Sequence, residues 1–407
     1  MTSRVLTADR VFTGTAIFTP GWVVTDGQSI VEVGRGTTPP RFAHLPTTNY
    51  PNATLTPGFV DIHCHGGGGA TFGIPTKTDA GAGSDSGATT NHNNTADAHA
   101  AGVHTAARTV LTTHRKHGTT TMIASLVTDS IDNLTHAVAA LGPLVDTGEL
   151  AGIHLEGPWL SPAHKGAHTP HLLRDPHLDD ITRVLDAHPG AVRMVTIAPE
   201  LPGGLEAVTA LTERCVIAAL GHSDASFDDA RNAVDAGVTN VTHLFNAMNP
   251  IHHRTPGPII ELLADERVAV ELICDGVHVH PAVLAHAAAT AGRWRTIFVT
   301  DAMAATDMHD GQWDLGGLSV DVTDGVARLS DSGAIAGSTL TMDAAVRFAV
   351  TVAGIDLLDA LTAATSAPAL LIGRSDVGYL RAGARADIVV LDDGLHVREV
   401  LTPAAHG

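Results

Sequence analysis

The metal-binding residue types of this chain gather at the ends of apolar runs. In DIHCH, Asp61, His63 and His65 alternate with Ile62 and Cys64, and the two-residue period of a strand turns both histidines to the same side. Glu156 ends the run AGIHLE, His222 follows CVIAALG, His243 ends VTNVTH, and Asp301 follows TIFVT. A single histidine after an apolar run carries little weight, and HxH arises readily in a chain with 25 histidines. An HxH, a Glu, two further His and an Asp on five separate run ends are far harder to place without a shared purpose. Imidazole and carboxylate donors without thiolate suit zinc, iron, manganese or cobalt. A divalent ion held this way lowers the pKa of a bound water towards neutrality, and Asp301 beside it can take that proton and return it to a leaving amine. That is the chemistry of amide hydrolysis.

Such residues need a scaffold that brings strand ends together. Eight runs of strand length, GFVDIH, TTTMIAS, AGIHLE, VRMVTIA, CVIAALG, VTNVTH, VAVELIC and TIFVTD, alternate with Ala-rich amphipathic stretches, the pattern of βα units. Eight units predict an α/β fold in which residues 57–374 close a (β/α)8 barrel of the TIM type, whose strand carboxyl ends converge on one face. A doubly wound open sheet is the alternative, but its glycine-rich phosphate turn, GxGxxG after an early strand, is not found. Residues 1–56 and 375–407 show short β-like runs punctuated by Gly, Pro, Asp and Thr, with a DDG turn in RADIVVLDDGLHVREVL. Both ends are therefore expected to share a small β-sandwich domain. Residues 66–96 are rich in Gly, Ala, Thr, Asn and Asp without an apolar period. They are expected to be a long loop inserted at the barrel mouth, either a tolerated insertion or a lid.

Composition excludes several classes. Hydrophobic residues form 44% of the 407 and charged residues 16%, so the chain can bury enough apolar surface to offset its ordering entropy. Aromatics are only 4%, so the core is expected to be aliphatic. A formal charge of -19 repels the phosphates of nucleic acids and anionic membranes. No run approaches a spanning helix, and Met1 to Asp9 lacks a signal-peptide core, so a cytoplasmic location is expected. Cys64, Cys215 and Cys274 show no CxxC spacing and read as small buried hydrophobes.

The segments TPGFVDIHCHG, HGTTT, GIHLEGPWLSPAHKGAH, LGHSDA, THLFNAMNPIHHRTPG, CDGVHVHP, VTDAMAA, AGSTLTM and DVGYLRAGARADIVVLD, in that order, resemble the N-acetylglucosamine-6-phosphate deacetylase family of the amidohydrolase superfamily. HLEGP and HLFNAM are specific to this branch. The insertion at 66–96 has no counterpart in it. The resemblance implies that Glu156, His222 and His243 hold a principal metal, that Asp301 is the acid/base close to it, and that His63 and His65 form a second position with Glu156 bridging. One or two ions per subunit follow, with zinc the first choice. It further implies that His278 meets the substrate carbonyl and a hydroxyl, that His168 meets the sugar ring, and that Asn246 and Ala247 form the phosphate-binding turn. Arg254, assisted by His253, is implied to reach the phosphate in a neighbouring subunit of a homodimer. The implied reaction is hydrolysis of the acetamide of an amino sugar phosphate. N-acetylgalactosamine 6-phosphate and a cyclic amide remain as alternative substrates, and a non-catalytic scaffold is disfavoured because every ligand position is filled.

Overall fold

The computed structural model of the chain describes residues 3–73 and 92–403. All eight apolar runs contain strands: β1 (Phe59–Cys64), β2 (Thr119–Leu126), β3 (Gly152–Glu156), β4 (Val192–Ile197), β5 (Ile217–Leu220), β6 (Asn240–Val241), β7 (Ala269–Ile273) and β8 (Thr296–Val299). They lie in one parallel sheet in sequence order from β1 to β8. Every residue of β1, β3 and β7 is buried. Strands covered on both faces are mostly apolar, and the few polar residues in these three, Asp61, His63, His154, Glu156 and Glu271, are buried with them.

The sheet closes where the site residues stand. The Asp301 N–H donates to the His63 carbonyl (2.9 Å), the His65 N–H donates to the Ala302 carbonyl (2.8 Å), and Cys64 bridges Ala302 in parallel. Barrel closure therefore holds His63, His65 and Asp301 side by side.

Helices α1 (His92–Lys116), α2 (Ile131–Asp146), α3 (Leu178–Asp186), α4 (Gly204–Glu213), α5 (Phe227–Ala236), α6 (Ile259–Ala264), α7 (Pro281–Ala291) and α8 (Met342–Thr351) follow the strands in turn. In α3 the buried residues are Ile181, Val184 and Leu185, one stripe at helical spacing. The start of α5 is pinned by a reciprocal cap: Ser226 Oγ accepts from the Asp229 N–H (3.2 Å) and Asp229 Oδ2 accepts from the Ser226 N–H (2.9 Å). That cap fixes the short connection carrying His222.

The two chain ends meet in a seven-stranded sheet. Arg4–Phe12 pairs antiparallel with Gly21–Thr25 and parallel with Thr47–Pro57. Thr47–Pro57 pairs with Ile388–Asp392, which pairs with Val397–Leu401. Hydrogen bonding links these strands in one sheet that carries buried residues on both faces of its central strands. Leu6, Val23, Leu55, Ile388 and Val390 pack in one cluster, and Val5, Trp22 and Val24 in another.

Three features depart from the sequence expectation. Gly66–Gly67 pairs with Ala70–Thr71, and α1 begins at His92, so the expected loop over 66–96 is shorter at both ends; residues 74–91 of it lie outside the described residues. Cys215 is exposed, with φ of 58°, because it sits in the turn after α4 rather than in β5; Cys64 and Cys274 are buried. After β8 a separate antiparallel sheet, Gly311–Leu315, Leu318–Thr323 and Val326–Leu329, packs on Met303 and Ala305. Its turns are Gly316-Gly317 and Asp324-Gly325, all four at positive φ, the two-residue connections that match strand twist. The alternating residues around GG and DG were the visible signal for it.

Candidate metal centre and active site

The candidate ligands leave their strands through strained backbone. His222, His243 and Asp301 each lie just past a strand end with φ of 47°, 29° and 49°, a conformation that costs a non-glycine residue about 1–3 kcal/mol. The cost is met by barrel closure and caps, and the outcome is three side chains turned over the mouth.

Around Glu156 the groups form two sets. Glu156 Oε1 is 3.3 Å from His222 Nε2 and 3.1 Å from His243 Nε2, which are themselves 3.1 Å apart. His65 Nε2 is 3.1 Å from Glu156 Oε2 and 3.3 Å from Asp301 Oδ1, and His63 Nε2 is 3.5 Å from both Glu156 Oε1 and Asp301 Oδ1. His63 and His65 present Nε2 atoms 3.1 Å apart. Ring nitrogens and carboxylate oxygens aimed at one another in a buried space require positive charge between them. The donor set fits a divalent ion in either half, with Glu156 between the two.

Titration points the same way. Burial pushes the Glu156 carboxyl up, yet the His63 charge and the imidazoles of His168, His222 and His243 hold it well below the ordinary carboxylate range. Asp301 is likewise lowered: burial opposes this, but His63 and His65 outweigh it. Burial alone would depress His63, but Glu156 and Asp301 raise it well above an ordinary imidazole. A site that draws a proton onto a fully buried histidine is one that attracts a cation.

Supporting contacts orient the rings. The His222 Nδ1–H donates to the His164 carbonyl (2.9 Å), leaving Nε2 as the lone pair over the cavity. His168 accepts the Thr128 N–H at Nδ1 (3.4 Å), so its Nε2 carries hydrogen and is a donor rather than a ligand. His278 Nδ1 lies 2.6 Å from Asp275 Oδ2. His154 is inside the barrel but spoken for, with Nδ1 at 2.9 Å from Ser125 Oγ and Nε2 at 2.8 Å from Thr196 Oγ1.

A cavity of about 320 Å³ is lined by Glu156, His168, His222, His243, His278 and Asp301, with His65, Asn246 and Ala247 also on its wall. His63 lies beneath it, fully buried. Asn246 donates from its backbone N–H to the His243 carbonyl and from Nδ2 to the carbonyls of His243 and Leu244. Its donors hold the turn in place, and Ala247, at φ 49°, is the neighbour that faces the cavity. His253 and Arg254 are not brought to this cavity. They are exposed, with Arg254 Nη1 2.7 Å from His253 Nε2.

The family model described as "Amidohydrolase family" matches residues 54–405. The chain belongs to the amidohydrolase family. This amidohydrolase is 37% identical over 359 residues to the N-acetylglucosamine-6-phosphate deacetylase of Bos taurus, covering 84% of this chain and 81% of that protein. It is 34% identical over 352 residues to the N-acetylgalactosamine-6-phosphate deacetylase of Escherichia coli O157:H7, covering 85% of each. A solved structure of an N-acetyl-D-glucosamine-6-phosphate deacetylase mutant from Mycobacterium smegmatis, in complex with N-acetyl-D-glucosamine-6-phosphate, matches with 44% identity and a TM-score of 0.88 over 99% of this chain and 98% of that one.

Two carboxylates that support the site of this amidohydrolase, buried Glu271 and part-buried Asp275, were not singled out in the sequence, whereas buried Asp61 was. Asp61 Oδ2 accepts from the Thr300 hydroxyl (2.6 Å), next to Asp301. Glu271 stood out as the single charge within VAVELIC, a signal that was available.

Proposed function

We propose that this amidohydrolase hydrolyses the acetamide of N-acetylglucosamine 6-phosphate, releasing acetate and glucosamine 6-phosphate. The observation that carries the reading is Glu156 lying between two pairs of imidazoles with Asp301 at the rim, in a chain similar to deacetylases of amino sugar phosphates.

Glu156, His222 and His243 would hold one divalent ion, and His63, His65 and Asp301 a second with Glu156 shared; zinc fits these donors, as do iron, manganese and cobalt. A bound ion supplies Lewis-acid polarisation of the amide carbonyl and a lowered pKa for water. Asp301, kept ionised at neutral pH, takes the proton from the attacking water and delivers it to the departing amine nitrogen. His278, braced by Asp275, donates to the carbonyl oxygen as negative charge develops there. His168 presents its Nε2–H to a sugar hydroxyl. The Ala247 turn receives the phosphate, and because the chain is acidic overall, a cation is needed as well. Arg254 and His253, exposed on the segment after Met248, supply it to the neighbouring active site of a homodimer. A charged sugar phosphate substrate, which does not cross membranes freely, supports a cytoplasmic location; separately, among the described residues no helix is long and apolar enough to cross a membrane.

The similarity to the Escherichia coli protein supports a second reading, the C4 epimer N-acetylgalactosamine 6-phosphate. Acetate release from both epimers and from unphosphorylated N-acetylglucosamine, measured before chelation, after chelation and after zinc restoration, tests both. Metal-dependent turnover of the glucosamine epimer with the higher kcat/KM is expected. Preference for the galactosamine epimer selects the second reading, and no turnover of either phosphate by metal-loaded protein overturns both.

A further inference from the structure

Glu271 is fully buried in β7, within a strand whose other residues are apolar. A carboxyl group in such a place is costly unless its oxygens are occupied. They are. Oε2 lies 3.1 Å from His63 Nδ1 and accepts the backbone N–H of His243 (3.2 Å), while Oε1 accepts from Asn240 Nδ2 (2.7 Å). The backbone carbonyl of the same residue accepts the Leu244 N–H (2.9 Å). One residue thus grips the side chain of His63 and both backbone amides at the strained His243 turn, where φ is 29°.

We infer that Glu271 is a positioning residue shared by the two halves of the metal centre. With His63 donating from Nδ1, its Nε2 lone pair faces Glu156, His65 and Asp301, which selects the tautomer that can bind a cation. By holding the His243 N–H, Glu271 sets where that ring enters the other half. His63 belongs to one set of ligands and His243 to the other, so losing the carboxylate loosens both. The inference rests on the metal centre of the proposed function and on no assignment of substrate.

Gln is the discriminating replacement. Its amide oxygen can stand at the Oε2 position, and its amide nitrogen can face Asn240, whose Oδ1 is buried without a partner and can turn to accept. The hydrogen bonds survive and the negative charge behind His63 does not. The experiment titrates Zn2+ into metal-free full-length protein against a chromogenic chelator, comparing wild type, Glu271→Gln and Glu271→Leu, with folding checked by circular dichroism. Wild type is expected to bind two equivalents. Glu271→Leu should lose about 10–100-fold in affinity for the weaker equivalent and also weaken the tighter one, and Glu271→Gln should fall between it and wild type. If Glu271→Leu fails to fold, Glu271→Gln decides, with a loss of several-fold expected. Affinities unchanged from wild type in folded Glu271→Gln, with wild type binding two ions, overturn this inference alone. A wild type that binds no ion overturns the metal centre with it, and one that binds a single ion overturns the sharing.

Discussion

Asp275 braces His278 from behind the active site. Its Oδ2 is 2.6 Å from His278 Nδ1, and its Oδ1 accepts the backbone N–H groups of Val277 and His278. Burial lowers the His278 pKa, but the Asp275 hydrogen bond and charge more than reverse this, so it lies above the ordinary 6.5; Asp275 lies below 3.8 because the same contact outweighs its burial. With Nδ1 held against the carboxylate, it is the protonated imidazole that has an Nε2–H to donate into the cavity.

The pair's contribution to stability has a defined window. A raised imidazole stabilises fully below the unfolded value of about 6.5 and loses this as pH rises through the folded value. A lowered carboxyl stabilises above about 3.8 and loses this as pH falls through its folded value. Asp275→Asn should therefore destabilise most between about pH 4 and 6.5. It should also move the alkaline limb of the kcat/KM profile to lower pH and cut kcat about 10–100-fold, less than the roughly 100–1,000-fold of removing an oxyanion donor outright. Urea denaturation at several pH values and a pH–rate profile check both.

Asp301→Asn should reduce kcat by at least about 100-fold, the low end of general acid–base contributions, while elemental analysis still finds the ion held by Glu156, His222 and His243. A variant retaining a substantial fraction of wild-type kcat removes Asp301 from the proton-transfer role.

Chelation should abolish turnover and zinc should restore it. Affinity should fall with pH, because the raised His63 must shed its proton to bind an ion. Competition with a chelator between pH 8 and about 6 reads this directly, and affinity independent of pH contradicts the ligand role of His63.

Gly166 approaches the His222 ring. With φ of 52°, a Cβ there would stand 2.9 Å from His222 Cε1. Gly166→Ala should displace the ring, weaken zinc binding about 10-fold and cost about 1–2 kcal/mol through left-handed backbone strain. Zinc titration and thermal unfolding report the two effects separately.

Arg254→Ala should raise KM for the phosphorylated sugar about 10–100-fold, the worth of a charge-assisted hydrogen bond, and leave turnover of the unphosphorylated sugar unchanged. A KM that does not move shows the phosphate is held without it.

Much of the barrel was legible in the chain because local physics writes it there. Parallel strands buried on both faces are mostly apolar, so eight such runs announced eight strands, and His63, Glu156, His222, His243 and Asp301 at their ends pointed to the face where they gather. The turn residues GG and DG likewise encode the antiparallel sheet after β8. Tertiary structure alone decided the rest. That Glu156 lies between two pairs of imidazoles, that Glu271 reaches His63 across 208 positions of sequence, and that His168 is a donor while His222 offers a lone pair all depend on distances between residues remote in sequence. Local periodicity can say which way a side chain points from its own strand. It cannot say what it meets there, because the partner arrives only when the barrel closes.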